Sequence, residues 1–199
     1  MGTLYGNELS FKLTVNNNTF KDPRDGNIYK TITIGNQTWM IQNLNYNISG
    51  SWCYNNSNAN CSIYGRLYDW NTLIQGGTTS NNIPSGVQGI CPNGWHIPSN
   101  SEWNILFSNL GGISVAGGKM KIEGTIFWAT PNKSADNSSE FTLLPSGYRM
   151  ADTRCGNLGY ISYLWSATGS LFEVYFDNAA IFSATPKEGE GYAVRCLKD

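Results

Sequence analysis

The stretch that decides the fold is residues 89–103, "GICPNGWHIPSNSEW". Within it, Ser99 stands three residues before Glu102, which is the spacing of a capping box at the start of a helix. Four apolar residues follow at the spacing of one helix face: Trp103, Leu106, Phe107 and Leu110. Two glycines, at 111–112, end the pattern. The stretch therefore predicts a helix that begins after Ser99 and buries Trp103.

The same stretch holds His96, the single histidine of the chain. No serine or cysteine stands at a spacing that would pair with this histidine as a nucleophile. A zinc site is not expected either, because the gap between Cys53 and Cys61 is too long for zinc ligands. We interpret His96 as a structural residue that hydrogen-bonds a neighbouring backbone group, and the stretch as scaffold.

Composition narrows the class of protein. Of 199 residues, 40% are hydrophobic, which is enough for a core, and only 14% are charged, against about 25% in an average soluble domain. The net charge is −1 with no basic block, so a nucleic-acid partner is not expected. No apolar run approaches the roughly 18–20 residues that span a bilayer, so no transmembrane segment is expected.

The sequence predicts one domain, residues 19–199, after a lead-in, residues 1–18. A strand predicted within residues 3–15 would be either the end of an upstream module or an edge strand of this domain. The sequence does not open with the pattern of a signal peptide, so a secreted protein would have lost its leader.

The domain itself predicts short elements of both kinds. Residues 28–41 predict a hairpin turning at Gly35–Asn36, with Ile28, Ile32 and Ile34 on one face. Leu67, Trp70 and Ile74 predict a short helix, and residues 75–90 a loop. Short β-segments are predicted in the second half, at 140–149, 163–168, 172–177, 179–184 and 191–197. This order predicts an α+β domain.

Six blocks of the sequence are similar, in order, to blocks of the Fibrobacter succinogenes major paralogous domain family. They are "DPRDGNIYKTITIGNQTWMIQNLNY", "YGRLYDWNTL", "GICPNGWHIPSNSEW", "LLPSGYR", "WSAT" and "GYAVRCLKD". The resemblance covers about residues 19–199. It implies a C-type lectin-like fold, distantly similar to that of the formylglycine-generating enzyme, with two helices, a small twisted, mostly antiparallel sheet and extensive loops. It also implies a secreted or surface-anchored bacterial protein without established catalytic activity.

The five cysteines favour an oxidising compartment. They allow fifteen ways of forming two disulfides, and sequence alone does not choose among them. Cys91 and Cys196 lie in two of the family-like blocks, so the resemblance favours pairing them. Cys53 and Cys61 enclose seven polar residues, a loop that closes easily. We expect these two disulfides, with Cys155 as the free thiol.

No metal site is expected, with one candidate exception. Asp22, Asp25 and Asn27 place oxygen ligands in one tight loop, as calcium prefers. Calcium needs five or more ligands, and a plain β-turn explains the same three residues. Calcium is therefore the one cofactor considered, and the others are expected to be absent.

The candidate ligand site lies after the second predicted helix, where a lectin-like fold has its irregular loops. In "FEVYFD", residues 172–177, apolar residues alternate with acidic and aromatic ones. The predicted ligand-binding residues are Tyr160, Tyr163, Glu173, Tyr175 and Asp177. The tyrosine rings would stack on a sugar or a peptide, and the carboxylates would accept hydrogen bonds. Alternatively, Tyr163 and Tyr175 only cover the core.

These observations favour a non-enzymatic binding module, secreted or on the bacterial cell surface and monomeric. Its partner would be a glycan or a surface protein. A structural spacer module is the first alternative. An enzyme on a scaffold like that of the formylglycine-generating enzyme is the second, although the paired active-site cysteines of that enzyme have no counterpart. The Glu-Pro-Asn tripeptide of calcium-dependent lectins is also absent.

Overall fold

A computed structural model describes residues 18–199, so the strand predicted within residues 3–15 lies outside the described residues. In that range the strands are β1 (Thr19–Lys21), β2 (Ile28–Ile34), β3 (Gln37–Met40), β4 (Ser51–Trp52), β5 (Leu67–Tyr68), β6 (Trp95–His96), β7 (Ser146–Arg149), β8 (Cys155–Leu158), β9 (Ile161–Trp165), β10 (Leu171–Tyr175), β11 (Ile181–Ala184) and β12 (Leu197–Lys198). The helices are α1 (Asn58–Tyr64), α2 (Trp70–Ile74), α3 (Asn100–Asn109) and α4 (Ile113–Met120), with a 3-10 turn at Tyr54–Asn56.

The first sheet contains the predicted hairpin. Its order is β1-β2-β3-β12-β6, and Ile34 pairs with Gln37 around the turn at Gly35–Asn36. Ile32 and Ile34 pack against the core as predicted, whereas Ile28 is exposed. The last strand of the chain, β12, lies between β3 and β6 and pairs with both, so it joins β6 to the rest of the sheet.

The second sheet has the order β11-β10-β9-β7-β8 and is antiparallel except for the β7–β9 pair. The alternation predicted in "FEVYFD" is confirmed, because Phe172 and Val174 are buried while Glu173 and Tyr175 remain half-exposed. β4 and β5 form a third, two-stranded sheet. Mixed helices and sheets confirm the α+β class.

Helix α3 is confirmed in detail. Ser99 Oγ accepts a hydrogen bond from the Glu102 backbone N–H (3.2 Å), and Glu102 Oε2 accepts one from the Ser99 N–H (2.9 Å). The predicted apolar face is buried throughout: Trp103, Leu106, Phe107 and Leu110. Trp103 packs against Trp39 with 4.6 Å between ring centroids, and its Nε1 donates to the Trp165 carbonyl oxygen at 3.3 Å. This helix therefore connects the two large sheets.

The prediction of two helices is wrong, because the described chain has four. Helix α1 was missed since its polar sequence buries only Cys61 and has no apolar periodicity. Helix α4 was missed because it contains two adjacent glycines. A Cβ at Gly117 would lie 2.9 Å from the carbonyl oxygens of Ala179 and Ala180, and one at Gly118 would lie 2.6 Å from that of Ser134. Close packing against distant loops explains these glycines.

Other predicted boundaries also differ. Leu67 belongs to β5, so the short helix α2 begins only at Trp70, after the N-cap residue Asp69. The segment predicted as a strand at 140–149 is a strand only from Ser146. Residues 191–193 form isolated bridges and residues 194–196 form none, so no continuous strand exists here. The bridge partners, Arg149, Tyr68 and Leu164, lie in three different strands.

Both predicted disulfides are present. Cys53 bonds to Cys61 and Cys91 bonds to Cys196, while Cys155 is a free thiol. The second disulfide joins the loop before β6 to the residue before β12. No helix among residues 18–199 has the length and apolar character needed to cross a membrane.

Replacing Trp103 with alanine is expected to lower the free energy of unfolding by about 3–5 kcal/mol, since it leaves a cavity between two sheets. The measurement is chemical denaturation followed by circular dichroism. Ile126, which is 89% exposed, provides the control. Ile126→Ala should change the free energy by no more than about 0.5 kcal/mol. Equal effects of the two substitutions would contradict the assignment of the buried face.

Candidate functional site

Strands β9 and β10 bring three of the five predicted ligand residues to one face of the second sheet. Tyr163 lies opposite Glu173 in the antiparallel register, and Tyr175 lies opposite Ile161. Because side chains alternate along a strand, Tyr163, Glu173 and Tyr175 share a face. The Tyr175 hydroxyl donates a hydrogen bond to Glu173 Oε2 at 2.7 Å.

The other two predicted residues lie outside this group. Tyr160 stands in the turn before β9, is 52% exposed, and packs edge-on against Phe176 with 5.3 Å between ring centroids. Phe176 packs on the core beneath the opposite face of the sheet. Asp177 follows β10, is exposed, and acts electrostatically on Tyr175. The structure therefore does not place Tyr160 with the other tyrosines.

Two further tyrosines, missed by the sequence reasoning, complete the group. Tyr148 on β7 stacks on Tyr192, with ring centroids 5.9 Å apart and planes at 12°, and it lies 5.2 Å from Tyr163. Tyr163 and Tyr192 are 5.6 Å apart. Tyr148 and Tyr192 each follow a glycine, in "GYR" and "GYA", within two of the family-like blocks. Their position in these blocks was the signal by which the sequence could have identified them. We call Tyr148, Tyr163, Tyr175 and Tyr192, with Glu173 and Glu190, the tyrosine face.

The accessible part of the tyrosine face surrounds Glu173. Tyr148 and Tyr175 are half-buried, whereas Tyr163 and Tyr192 are buried beneath them. Phe182 on β11 lies opposite Glu173 and packs edge-on against Tyr175 with 5.3 Å between ring centroids. A ligand would therefore meet three aromatic rings and one carboxylate.

Hydrogen bonds fix the hydroxyl groups of this face. Tyr192 donates to Glu190 Oε2, and Asn157 Nδ2 donates to the Tyr163 hydroxyl oxygen at 2.7 Å. Burial, opposed in part by the Asn157 hydrogen bond, raises the pKa of Tyr163 to about 12. Burial, followed by the neighbouring carboxylate, raises the pKa of Tyr175 and of Tyr192 as well. These phenols therefore stay protonated at physiological pH and cannot act as bases.

The tyrosine face rests on a continuous stack of aromatic rings. Tyr192 meets Trp165 edge-on with 5.1 Å between centroids, and Trp165 lies 5.4 Å from Trp70. Trp165 Nε1 donates to the Tyr68 carbonyl oxygen at 2.8 Å. Such a base holds the tyrosine rings in fixed orientations.

The calcium candidates lie far from this group, in the turn before β2. Arg24 binds both carboxylate oxygens of the buried Asp22, through Nε (2.9 Å) and Nη2 (2.7 Å). Asp25 accepts hydrogen bonds from the backbone and side chain of Asn27 (2.9 and 2.8 Å). Among residues 18–199 no group of three or more His, Cys, Asp or Glu residues could hold a metal ion. Calcium in this loop would require the Asp22–Arg24 ion pair to open.

The surroundings of His96 differ from the expectation. His96 does not bond a backbone group through its ring. Instead Nδ1 lies 2.7 Å from Asp199 Oδ1, and Nε2 lies 2.9 Å from Glu102 Oε1. Glu102 Oε2 also accepts the N–H groups of Ser99 and Ser85. The imidazole is 3% exposed. His96 therefore links β6 to helix α3 through Glu102, and to Asp199.

The residues 32–198 match the model of the Fibrobacter succinogenes major domain family, which is the family that the sequence resembles. The chain belongs to this family. The match covers the second sheet, the first sheet from the end of β2 onward, and the whole tyrosine face. No curated protein and no solved structure matches the chain.

In this family member a second surface feature lies in the loop between α2 and β6. The depression has a volume of about 600 Å³ and is lined mostly by polar residues of segments 74–80 and 82–89. Thr79 lies beside Gly169, as does the ring of Trp70, so the depression approaches the aromatic base of the tyrosine face. It has few apolar contacts to offer a ligand, and we therefore favour the tyrosine face.

The His96 cluster predicts how stability changes with pH. Burial alone would lower the pKa of His96, but hydrogen bonds and charges from Glu102 and Asp199 raise it above the ordinary value. The stabilisation is therefore complete below the unfolded pKa, near 6.5, and is lost as the pH rises through the higher folded pKa. Denaturation from about pH 6 to about pH 7.5 should show the free energy of unfolding falling.

Two variants test this assignment. His96→Gln should remove the fall, because the chain has no other histidine. Asp199→Asn should reduce the fall without removing it, since Glu102 remains in contact. A His96→Gln variant that keeps the same dependence on pH would show that another group is responsible.

Proposed function

We propose that this domain is a non-catalytic binding module and that the tyrosine face binds glycan. The supporting observation is the group of accessible aromatic rings, Tyr148, Tyr175 and Phe182, around the Glu173 carboxylate. Aromatic rings offer flat apolar area with few internal rotations to freeze. A sugar ring stacks on such a surface through its C–H groups, and its hydroxyls donate to a carboxylate.

The proposal extends to where and how the module works. Two disulfides and the low content of charged residues favour a secreted or cell-surface protein. We propose a C-type lectin-like fold, which the short helices, the small, mostly antiparallel sheets and the long loops support. The module would act as a monomer, with a glycan or, as the alternative, a surface protein as its partner.

A catalytic role is not proposed because the polar clusters lack a reactive arrangement. Both ring nitrogens of His96 are engaged by carboxylates in a buried site. The hydroxyls of the tyrosine face are held protonated. A structural spacer is the second candidate, and the accessible aromatic rings argue against it, since a spacer gains nothing from exposing them.

The test is a glycan array followed by calorimetry with the strongest glycan found. The double variant Tyr148→Ala/Tyr175→Ala should weaken binding at least about tenfold, because it removes two stacking surfaces that together contribute about 1.4 kcal/mol or more. Glu173→Gln should weaken it less, since the amide oxygen still accepts hydrogen bonds.

Tyr160→Ala is the matched control, because Tyr160 is an exposed tyrosine outside the tyrosine face. It should leave the affinity unchanged, and all variants should keep the melting temperature within a few degrees. Binding lost in the Tyr160 variant alone would refute the location. A domain that binds no glycan on the array would favour the spacer.

A further inference from the structure

A second cleft shares no lining residue with the tyrosine face. It has a volume of about 310 Å³ and lies between the segment after β3, the end of α1 and the loop at 122–127. Its walls are largely apolar and include Ile122, Leu144 and an edge-to-face pair of rings, Tyr64 and Phe127, with centroids 6.3 Å apart. Its size is at the lower end of small-molecule sites.

Among the residues that line this apolar cleft is a buried charged residue, Arg195. The side chain is 1% exposed. Its Nε donates to Asn43 Oδ1 (3.0 Å), its Nη2 to the Thr142 carbonyl oxygen (3.2 Å), and its Nη1 to the Phe141 carbonyl oxygen. The guanidinium carbon lies 4.2 Å from the centroid of the Phe141 ring. The group is therefore held rigidly at the base of the cleft.

The charge of Arg195 has no counterion. Among residues 18–199, no carboxylate lies within 4.0 Å of this guanidinium, and no acidic residue lines the cleft. Burial lowers the pKa of Arg195 to about 9, with no neighbouring carboxylate to oppose it. The group is still a cation at neutral pH. A buried, unpaired charge is costly, so an anion would be favoured here.

Lys121 shows that a buried cation alone does not make a site. This residue is also fully buried and has no carboxylate within 4.0 Å. Burial, opposed in part by the charge of Asp177, lowers its pKa to about 8. Its three N–H groups, however, have three acceptors, the carbonyl oxygens of Lys133, Tyr175 and Asn178, at 2.9, 3.0 and 2.9 Å. Arg195 has five N–H groups, and only three have acceptors among the described residues. The other two N–H groups can donate hydrogen bonds to a ligand.

A second cation stands at the mouth of the cleft. Lys30 is exposed, lines the rim, and makes no ion pair with any described residue. Two cations at opposite ends of an apolar, aromatic-walled cleft select a ligand with an anionic head and an apolar body. A guanidinium matches a carboxylate through paired hydrogen bonds.

We propose that this cleft binds a small carboxylate with an apolar, aromatic body, whose carboxylate Arg195 holds. The body packs against the rings of Tyr64 and Phe127 along the wall of the cleft, and Lys30 attracts the anion to the mouth. This site is independent of glycan binding at the tyrosine face, so either can fail without the other.

The test uses three probes titrated into the intact domain and followed by ligand-observed NMR and calorimetry. They are 3-phenylpropanoate, its neutral amide 3-phenylpropanamide, and acetate. The phenylpropanoate should bind at least about tenfold more tightly than either of the others, because the amide lacks the charge and acetate lacks the apolar body. Equal affinity for the acid and the amide would overturn the role of Arg195. No binding of the acid below about 10 mM would overturn the site.

Variants locate the binding without relying on Arg195, whose removal could unfold the domain. Phe127→Ala should weaken phenylpropanoate binding about tenfold, and Lys30→Gln should weaken it about threefold and reduce its sensitivity to salt. Phe182→Ala is the matched control, because Phe182 is an exposed aromatic residue beside the tyrosine face. This substitution should have no effect on phenylpropanoate binding. Unchanged affinity in the Phe127 variant, with the acid still bound, would place the ligand elsewhere and refute the proposal.

Discussion

The rest of the fold depends on one segment, residues 191–198, which pairs with both large sheets. Leu197 pairs with β3 and β6 in the first sheet. Ala193 exchanges backbone hydrogen bonds with Tyr163 and Trp165 of the second sheet, at 3.2 and 3.0 Å. The sheets share no strand, so this segment joins them, and the Cys91–Cys196 disulfide holds it in place. Closing a loop of that length stabilises the fold by roughly 4–5 kcal/mol on the chain-entropy model.

The same segment contributes a residue to each of the two proposed sites. Its side chains alternate between the two core clusters. Tyr192, Val194 and Cys196 pack in one, and Ala193 and Leu197 in the other. Tyr192 belongs to the tyrosine face. Arg195 lies three positions further along, on the opposite side of the extended chain, and lines the cleft. One short extended segment thus supports a stacking surface and a charged cleft base that share no residue.

The sequence predicted those structural features that depend on residues close to one another in the chain. The capping box, the apolar face of α3 and the hairpin turn all depend on residues within a few positions of one another. The pairing of Cys91 with Cys196 came from the family resemblance, and that of Cys53 with Cys61 from the short polar loop between them. Long-range packing was not predictable. Gly117 of α4 is explained by the backbone of Ala179 and Ala180, and Gly118 by that of Ser134. His96 meets Asp199 across 103 positions. Tyr148 was missed for the same reason, since its partners come from other strands.

Buried side-chain hydrogen-bond donors stabilise the long loops of this fold and so fix the surface. A buried backbone carbonyl needs a hydrogen-bond donor, and long loops lack the strand partners that would supply one. Lys121 donates to three loop carbonyls, Arg195 to two, and the Asn132 amide to two. One of the carbonyls held by Lys121 belongs to Tyr175, so the end of β10 is fixed before any ligand arrives. A surface fixed in advance loses less conformational entropy on binding. In this chain of few charged residues, two buried cations and one buried amide thus satisfy backbone carbonyls that strand pairing satisfies elsewhere. Among them, Lys121 fixes the end of the strand that carries Tyr175 of the proposed glycan site.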